Sequence, residues 1–223
     1  MSGAIELFIK YLLLMIGALF PIVNPIGSAP LFLTLTHGMS GTVRAMLARM
    51  IALNGLALIL GSVFIGSHIL SFFGISLPVV QVGGGMVLVA AGWNLLRQAD
   101  DESDGDSAGK PCTDADYVKQ AFYPLTLPLT VGPGTISVAI TLGANRPNGA
   151  EWSTPLIAGM VAGSVVIALS IYLSYRFADR LANVLGETAM NVFIRLSSFI
   201  LLCIGVQIIW NGIKALLHEV RLL

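Results

Sequence analysis

Two short clusters of small polar residues, each threaded with prolines, carry the chemistry that this sequence can do. The first holds Asn24, Gly27 and Ser28, followed by Thr34 and Thr36; the second holds Thr126, Thr130, Gly132, Gly134, Thr135 and Ser137. Glycine lets a ligand approach the main chain closely, while hydroxyls and an Asn amide supply neutral donors and acceptors. Helices beginning after Pro30 and after Pro133 would aim free N–H groups and a positive dipole end into the space between the clusters. A carboxylate fits there without an arginine. No Asp or Glu lies at the centre of an apolar segment, so a cation would find no counter-charge. The expected ligand is a small neutral solute, and the substrate-binding set is Asn24, Gly27, Ser28, Thr126, Thr130, Gly132, Gly134 and Thr135. For isolated Ser and Thr, kinking and close helix packing are the competing role.

Other chemistries lack their residues. The apolar segments contain no Ser/His/Asp set, no His-rich metal cluster and no paired carboxylate, so the chain is not expected to be an enzyme. His37, His68 and His218 lie near segment ends without metal-ligand spacing. Cys112 and Cys203 fall in a polar loop and an apolar segment and read as free thiols. Zero net charge gives no electrostatic case for a nucleic acid. No cofactor is expected beyond a coupling ion, Na+ or H+. Gly83–Gly85 reads as a close helix contact, Asn54, Asn94 and Gln207 as interhelical hydrogen bonds, and Trp93, Trp152 and Trp210 as interface anchors. Arg195 reads either as an intramembrane functional residue or as one that snorkels to the interface.

The elements that must position these residues are membrane spans. Of the 223 residues, 56% are apolar and 11% charged, against about 25% charged in soluble domains. Six apolar segments run Ile5–Thr36, Met50–Phe73, Ile75–Leu96, Val118–Ala144, Pro155–Tyr175 and Leu196–Ile213. Most are long enough to cross a hydrocarbon core, which takes about 20 residues. The first has 32 residues, about 48 Å as a helix, so it must break or re-enter. Proline inside a helix costs about 3 kcal/mol or more. Backbone left unpaired at membrane depth is tolerated only inside protein or beside a wet cavity, so the two breaks should face a shared pocket. The 97–117 stretch holds seven of the twelve acidic residues and reads as a solvated linker. Eight of the twelve basic residues (Arg44, Arg49, Arg97, Lys110, Lys119, Arg176, Arg180 and Arg195) flank three loops on one side; Lys10, Arg146, Lys214 and Arg221 flank the other. That bias predicts both termini outside.

An internal repeat organises the chain. Phe20-Pro21, Pro25 and Pro30 recur as Tyr123-Pro124, Pro128 and Pro133, at an offset of 103 residues. A second, weaker match relates Gly85 through Gly92 to Ser198 through Gly205 at a different offset. Three spans per half require the second copy to insert upside down, the arrangement of secondary transporters with inverted repeats. The expected fold is therefore an all-α polytopic membrane protein of six transmembrane segments, built as two inverted three-span repeats with discontinuous first and fourth segments. Its parts are a first repeat over 1–97, an acidic cytoplasmic linker over 98–117 and a second, inverted repeat over 118–223.

At Asn24-Pro25-Ile26-Gly27 and Gly132-Pro133-Gly134-Thr135-Ile136 the sequence resembles the MarC-type family of integral membrane proteins. The likeness extends to the acidic central loop and the closing Gly205-Val206-Gln207 and Asn211-Gly212. The resemblance implies a bacterial or archaeal inner-membrane protein and, for some members, ion-driven uptake of glycine or alanine. Its motif falls on Asn24, Pro25, Gly27, Pro133, Gly134 and Thr135. The combined expectation is a secondary transporter of small neutral amino acids working by alternating access. The zwitterion's carboxylate would meet N–H groups near Gly134–Thr135 and its ammonium the carbonyls freed around Asn24–Gly27, with Gly27 and Gly132 as hinges. The alternative is a channel or exporter for another small neutral metabolite or drug. The expected partners are a small neutral amino acid and the lipid bilayer, and the sequence leaves room for a homo-oligomer.

Overall fold

Of the three prolines in the first apolar segment, only Pro25 ends a helix. A proline disfavours the right-handed helical region for the residue before it, and asparagine reaches the left-handed region more readily than most residues. Asn24 takes that route, at φ 44°. Helix α1 (Ser2–Val23) stops there and α2 (Pro25–Leu35) begins, with Pro21 and Pro30 inside the two helices. The expected helix start after Pro30 is thus five residues too late. Asn24 then caps the new helix: its main-chain carbonyl accepts the Ser28 N–H at 3.0 Å and its side-chain oxygen accepts the Gly27 N–H at 3.2 Å. Pro25 occupies the first helical position, where no intrahelical donor is needed.

The computed structural model of the chain describes residues 2–36, 38–98, 121–144 and 153–221. The acidic linker beyond Gln98, together with His37, Cys112, Arg146 and Trp152, lies outside the described residues. Every regular element among the described residues is a helix, and no strand occurs among them. After α2 come α3 (Gly41–Phe72), α4 (Leu77–Gln98), a short wide-turned segment α5 (Ala121–Thr130), α6 (Pro133–Ala144), α7 (Thr154–Arg176) and α8 (Ala178–Arg221). α8 is interrupted at Gly186, in the left-handed region at φ 70°. Five helical stretches among the described residues are long and apolar enough to cross a membrane: Gly3–Leu33, Gly41–Phe72, Leu77–Asn94, Thr154–Arg176 and Ser198–His218. The remaining apolar segment is divided between α5 and α6, of 10 and 12 residues.

Helix α1 packs on α7, α3 on both α6 and α7, and α4 most extensively on α8. Met15, Leu19, Phe32, Leu47, Ile51, Ile59, Met160 and Ile171 are buried between them. Helices α4 and α8 run antiparallel, with Gly85 against Gly205 and Gly92 against Ser198. A Cβ on Gly85 would lie 2.8 Å from the Gly205 carbonyl oxygen, and one on Gly205 2.9 Å from the Gly85 carbonyl. The small-residue stretches are therefore where two backbones touch, which is how membrane helices gain packing without a hydrophobic driving force. Within Gly83–Gly85, Gly84 and Gly85 make close contacts, while the space beside Gly83 is open. Trp93 and Trp210 are exposed, and Lys214 lies over the Trp210 ring at 5.8 Å.

Candidate functional site

The second break solves its proline problem differently from the first. Tyr123 and Leu127, which precede Pro124 and Pro128, are extended at φ −130°, ψ 124° and φ −109°, ψ 126°. Those are the angles a following proline favours. Each extended residue lengthens the turn, so bonds span five residues instead of four. Val131 N–H donates to the Thr126 carbonyl at 2.9 Å. The Thr126 hydroxyl donates to the Ala121 carbonyl at 2.6 Å and the Thr130 hydroxyl to the Leu125 carbonyl at 2.7 Å. Side-chain donors thereby serve carbonyls that lipid could not.

Helix α6 starts with Gly132 as its cap residue, whose carbonyl accepts the Ile136 N–H at 3.1 Å. Gly132 has no side chain to bond the first-turn donors. Among the described residues, no acceptor stands opposite the N–H groups of Gly134 and Thr135. Both residues are buried. The face of Gly134 is covered by Leu88 of α4, which packs with Ile22, Leu201 and Ile208; a Cβ on Gly134 would overlap the Leu88 side chain. Close by, the Ser137 hydroxyl donates to the Val80 carbonyl at 3.1 Å, and Gln81 Nε2 donates to Thr141 Oγ1 at 3.3 Å.

The two breaks meet at Tyr175, near the end of α7. Its ring is buried and stacks on Phe32 of α2, with centroids 4.6 Å apart and planes 8° from parallel. Its hydroxyl lies 2.8 Å from Thr130 Oγ1, with the Ser28 side chain close by. The order of donation follows from counting protons. Thr130 gives its one proton to the Leu125 carbonyl, so Tyr175 donates to Thr130. Tyr175 thus joins α2, through its stack on Phe32, to α5, through a hydroxyl relay that ends on the Leu125 carbonyl. One level further along, Arg44 of α3 donates through Nε to the Thr36 carbonyl at 3.3 Å and pairs with Asp179 of α8 at 2.5 Å. Its charge sits against the negative end of α2.

Of the residues singled out from sequence, Ser28 and Thr130 come together through Tyr175, and Asn24 and Gly27 pair with each other. Gly134 and Thr135 lie at the start of α6 next to α4, and Thr126 bonds back to its own segment. Gly27 has a local reason to be glycine, because a Cβ there would run into the Asn24 side chain. Tyr175 was missed, having been read only as the end of a span. The signal was available: a tyrosine inside an apolar run needs a hydroxyl partner when buried. Of the three amides expected to bond between helices, Gln207 does not. Gln207 is exposed and donates to Asn211 on its own helix at 3.0 Å, whereas Gln81 makes the interhelical bond. Among the described residues no group of His, Cys, Asp or Glu could hold a metal, and Cys203 is a free, exposed thiol.

Span-length apolar helices, two of whose segments break at polar proline clusters, define a polytopic integral membrane protein with an internal polar junction. Residues 9–217 match the model of the MarC family of integral membrane proteins, and the chain belongs to that family. It is 28% identical over 201 residues to the inner membrane protein MarC of Salmonella typhimurium, covering 87% of this chain and 90% of that protein. The inner membrane protein MarC of Escherichia coli O157:H7 is 29% identical over the same length and shares. No solved structure matches the chain.

Proposed function

We propose that this protein is an inner-membrane secondary transporter of small neutral amino acids such as glycine and alanine, coupled to Na+ or H+ and working by alternating access. The observation that carries the proposal is the meeting of both broken segments at Tyr175. Non-helical backbone is stable within a membrane only where protein or a wet cavity surrounds it, and discontinuous segments that face one another are how many transporters build a substrate site.

The packing supports six spans arranged as two inverted repeats. Exchanging the first three apolar segments for the last three turns the α1–α7 contact into that of α3 with α5 and α6. It turns α2–α8 into α4–α6, and returns α3–α7 and α4–α8 to themselves. The same exchange turns the Gly85–Gly205 contact into Ser198–Gly92, which the α4–α8 seam also contains. In this reading the repeats are residues 1–97 and 118–223, joined by the linker over 98–117, and both termini lie outside. The Phe32–Tyr175 stack and the Arg44–Asp179 pair then close the cytoplasmic end. The carboxylate of the substrate binds the N–H groups of Gly134 and Thr135, after Leu88 swings aside, and its ammonium meets main-chain carbonyls around Asn24–Gly27. Rocking of one repeat against the other separates Ser28 from Thr130 and opens the cytoplasmic side.

The test is a thermal-shift screen of the purified protein against small neutral amino acids, charged amino acids, sugars and antibiotics, because a ligand of the folded state raises its apparent stability. A shift confined to glycine, alanine or serine, followed by saturable uptake into liposomes under a Na+ or H+ gradient, is expected. A shift with drugs alone would replace the proposal with an exporter.

A further inference from the structure

Away from the polar junction, α3 and α7 leave a furrow of about 430 Å³ lined by Arg49, Ala52, Leu53, Val165, Leu169 and Tyr172, with Ala168 completing its wall. Its shape follows from residue size. Ala52 and Ala168 are nearly buried at 6% and 7% exposure, while Leu53, Val165 and Leu169 stand out on the rims at 54%, 45% and 52%. Small residues make the floor and larger apolar residues the banks of a channel open along the bundle's outer face.

The polar end of the furrow has a definite level in the membrane. Helix α3 has 32 residues, about 48 Å, so about 9 Å projects beyond each side of a core about 30 Å thick if the excess is shared. Arg49 is the ninth residue of α3, about 12 Å from its start. That is just inside the hydrocarbon boundary, from which a long side chain reaches the phosphate level. Tyr172 is one turn from Arg176 at the end of α7, so its phenol sits at the same end. Arg49 belongs to no ion pair among the described residues, and Asp179, the acid at the start of α8, is paired with Arg44. Arg180, also at this end, lies over the Phe177 ring. A cation of this kind heads an apolar furrow that faces acyl chains.

We infer that the α3–α7 furrow is a binding site for one anionic glycerophospholipid, with an acyl chain along Ala52, Leu53, Val165 and Leu169 and the phosphate on Arg49 and Tyr172. The charge complementarity selects the occupant. Intramembrane helices present basic pockets to anionic head groups on the cytoplasmic side, and a zwitterionic lipid returns an ammonium to the same place. The site stands whether or not the transport reading holds, since it involves neither polar break.

Native mass spectrometry of the detergent-purified protein, titrated with phosphatidylglycerol or with phosphatidylethanolamine of identical acyl chains, tests it. The wild type is expected to retain the anionic lipid about five-fold more than the zwitterionic one, the ratio that about 1 kcal/mol per basic residue corresponds to. Arg49→Gln should bring the ratio close to one, and Arg49→Lys should keep most of it. Inorganic phosphate should neither bind nor compete. Equal retention of the two lipids by the wild type, full preference in Arg49→Gln, or displacement by phosphate would each overturn the assignment. The first comparison requires no variant, so a substitution that fails to fold leaves the test intact.

Discussion

The two proline breaks share one sequence frame and have different local structures. In the first, a single residue, Asn24, takes the strain at φ 44° and then closes the next helix with its own side chain. In the second, the departure from the helix is spread over the extended Tyr123 and Leu127, the turn widens, and helix α6 begins at Pro133, the counterpart of the Pro30 that lies inside α2. The first break is capped from within. The second ends on Gly132, which has no capping side chain, and leaves the N–H groups of Gly134 and Thr135 without an acceptor among the described residues. The lesson is that symmetry in sequence can place two breaks together while one caps its own helix and the other leaves the first N–H groups of its helix open.

The largest effect is expected at the residue that joins the breaks. Tyr175→Ala removes a buried ring from its stack on Phe32 and should cost about 3–5 kcal/mol, as large aromatic truncations do. Tyr175→Phe keeps the stack and loses the relay, at about 1 kcal/mol. Thermal unfolding in detergent separates the two, and equal losses would mean that the ring matters little. Gly134→Leu comes next, with the Leu88 side chain already in the space; overpacking costs about 1–3 kcal/mol. Amino-acid binding should vanish with it. Leu88→Ala added to Gly134→Ala should recover stability, so persistent loss of binding in that pair would trace to the new Cβ beside the N–H groups rather than to misfolding.

Smaller changes sharpen the contrast. Asn24→Ala sacrifices the cap and places alanine at positive φ, for about 1–2 kcal/mol. Asn24→Gly should cost only a few tenths through the cap, so a loss as large as alanine's would break the account of the first junction. Gly132→Asn transplants that cap to the second break. It should leave stability unchanged or raise it by about 0.5–1 kcal/mol, yet abolish uptake by occupying the N–H groups. Retained uptake would remove those groups from the substrate site. Arg44→Ala is the mildest, at about 1 kcal/mol or less for an exposed ion pair, and the difference from wild type should shrink in high salt.

Much of this could be read from residue order. Long apolar runs and sparse charge require helices in lipid, because only a helix or a closed barrel satisfies its backbone there. The spacing of Pro21, Pro25 and Pro30, and its recurrence, located both interruptions, since a proline acts on the chain locally. The small residues from Gly85 and from Ser198 were legible as a weak repeat, while their meeting along the α4–α8 seam was not. Other features depend on partners far along the chain. That the breaks converge on Tyr175 depended on α7 bringing that side chain to both Phe32 and Thr130, and that Gly134 faces Leu88 depended on α4. The sequence alone determined that the chain spans a membrane and where its helices fail, because those follow from solvent and local sterics. Only the tertiary structure decided which hydroxyl bonds which and which face a glycine turns to a neighbour, because a hydrogen bond or a backbone contact exists only once two distant segments are packed together.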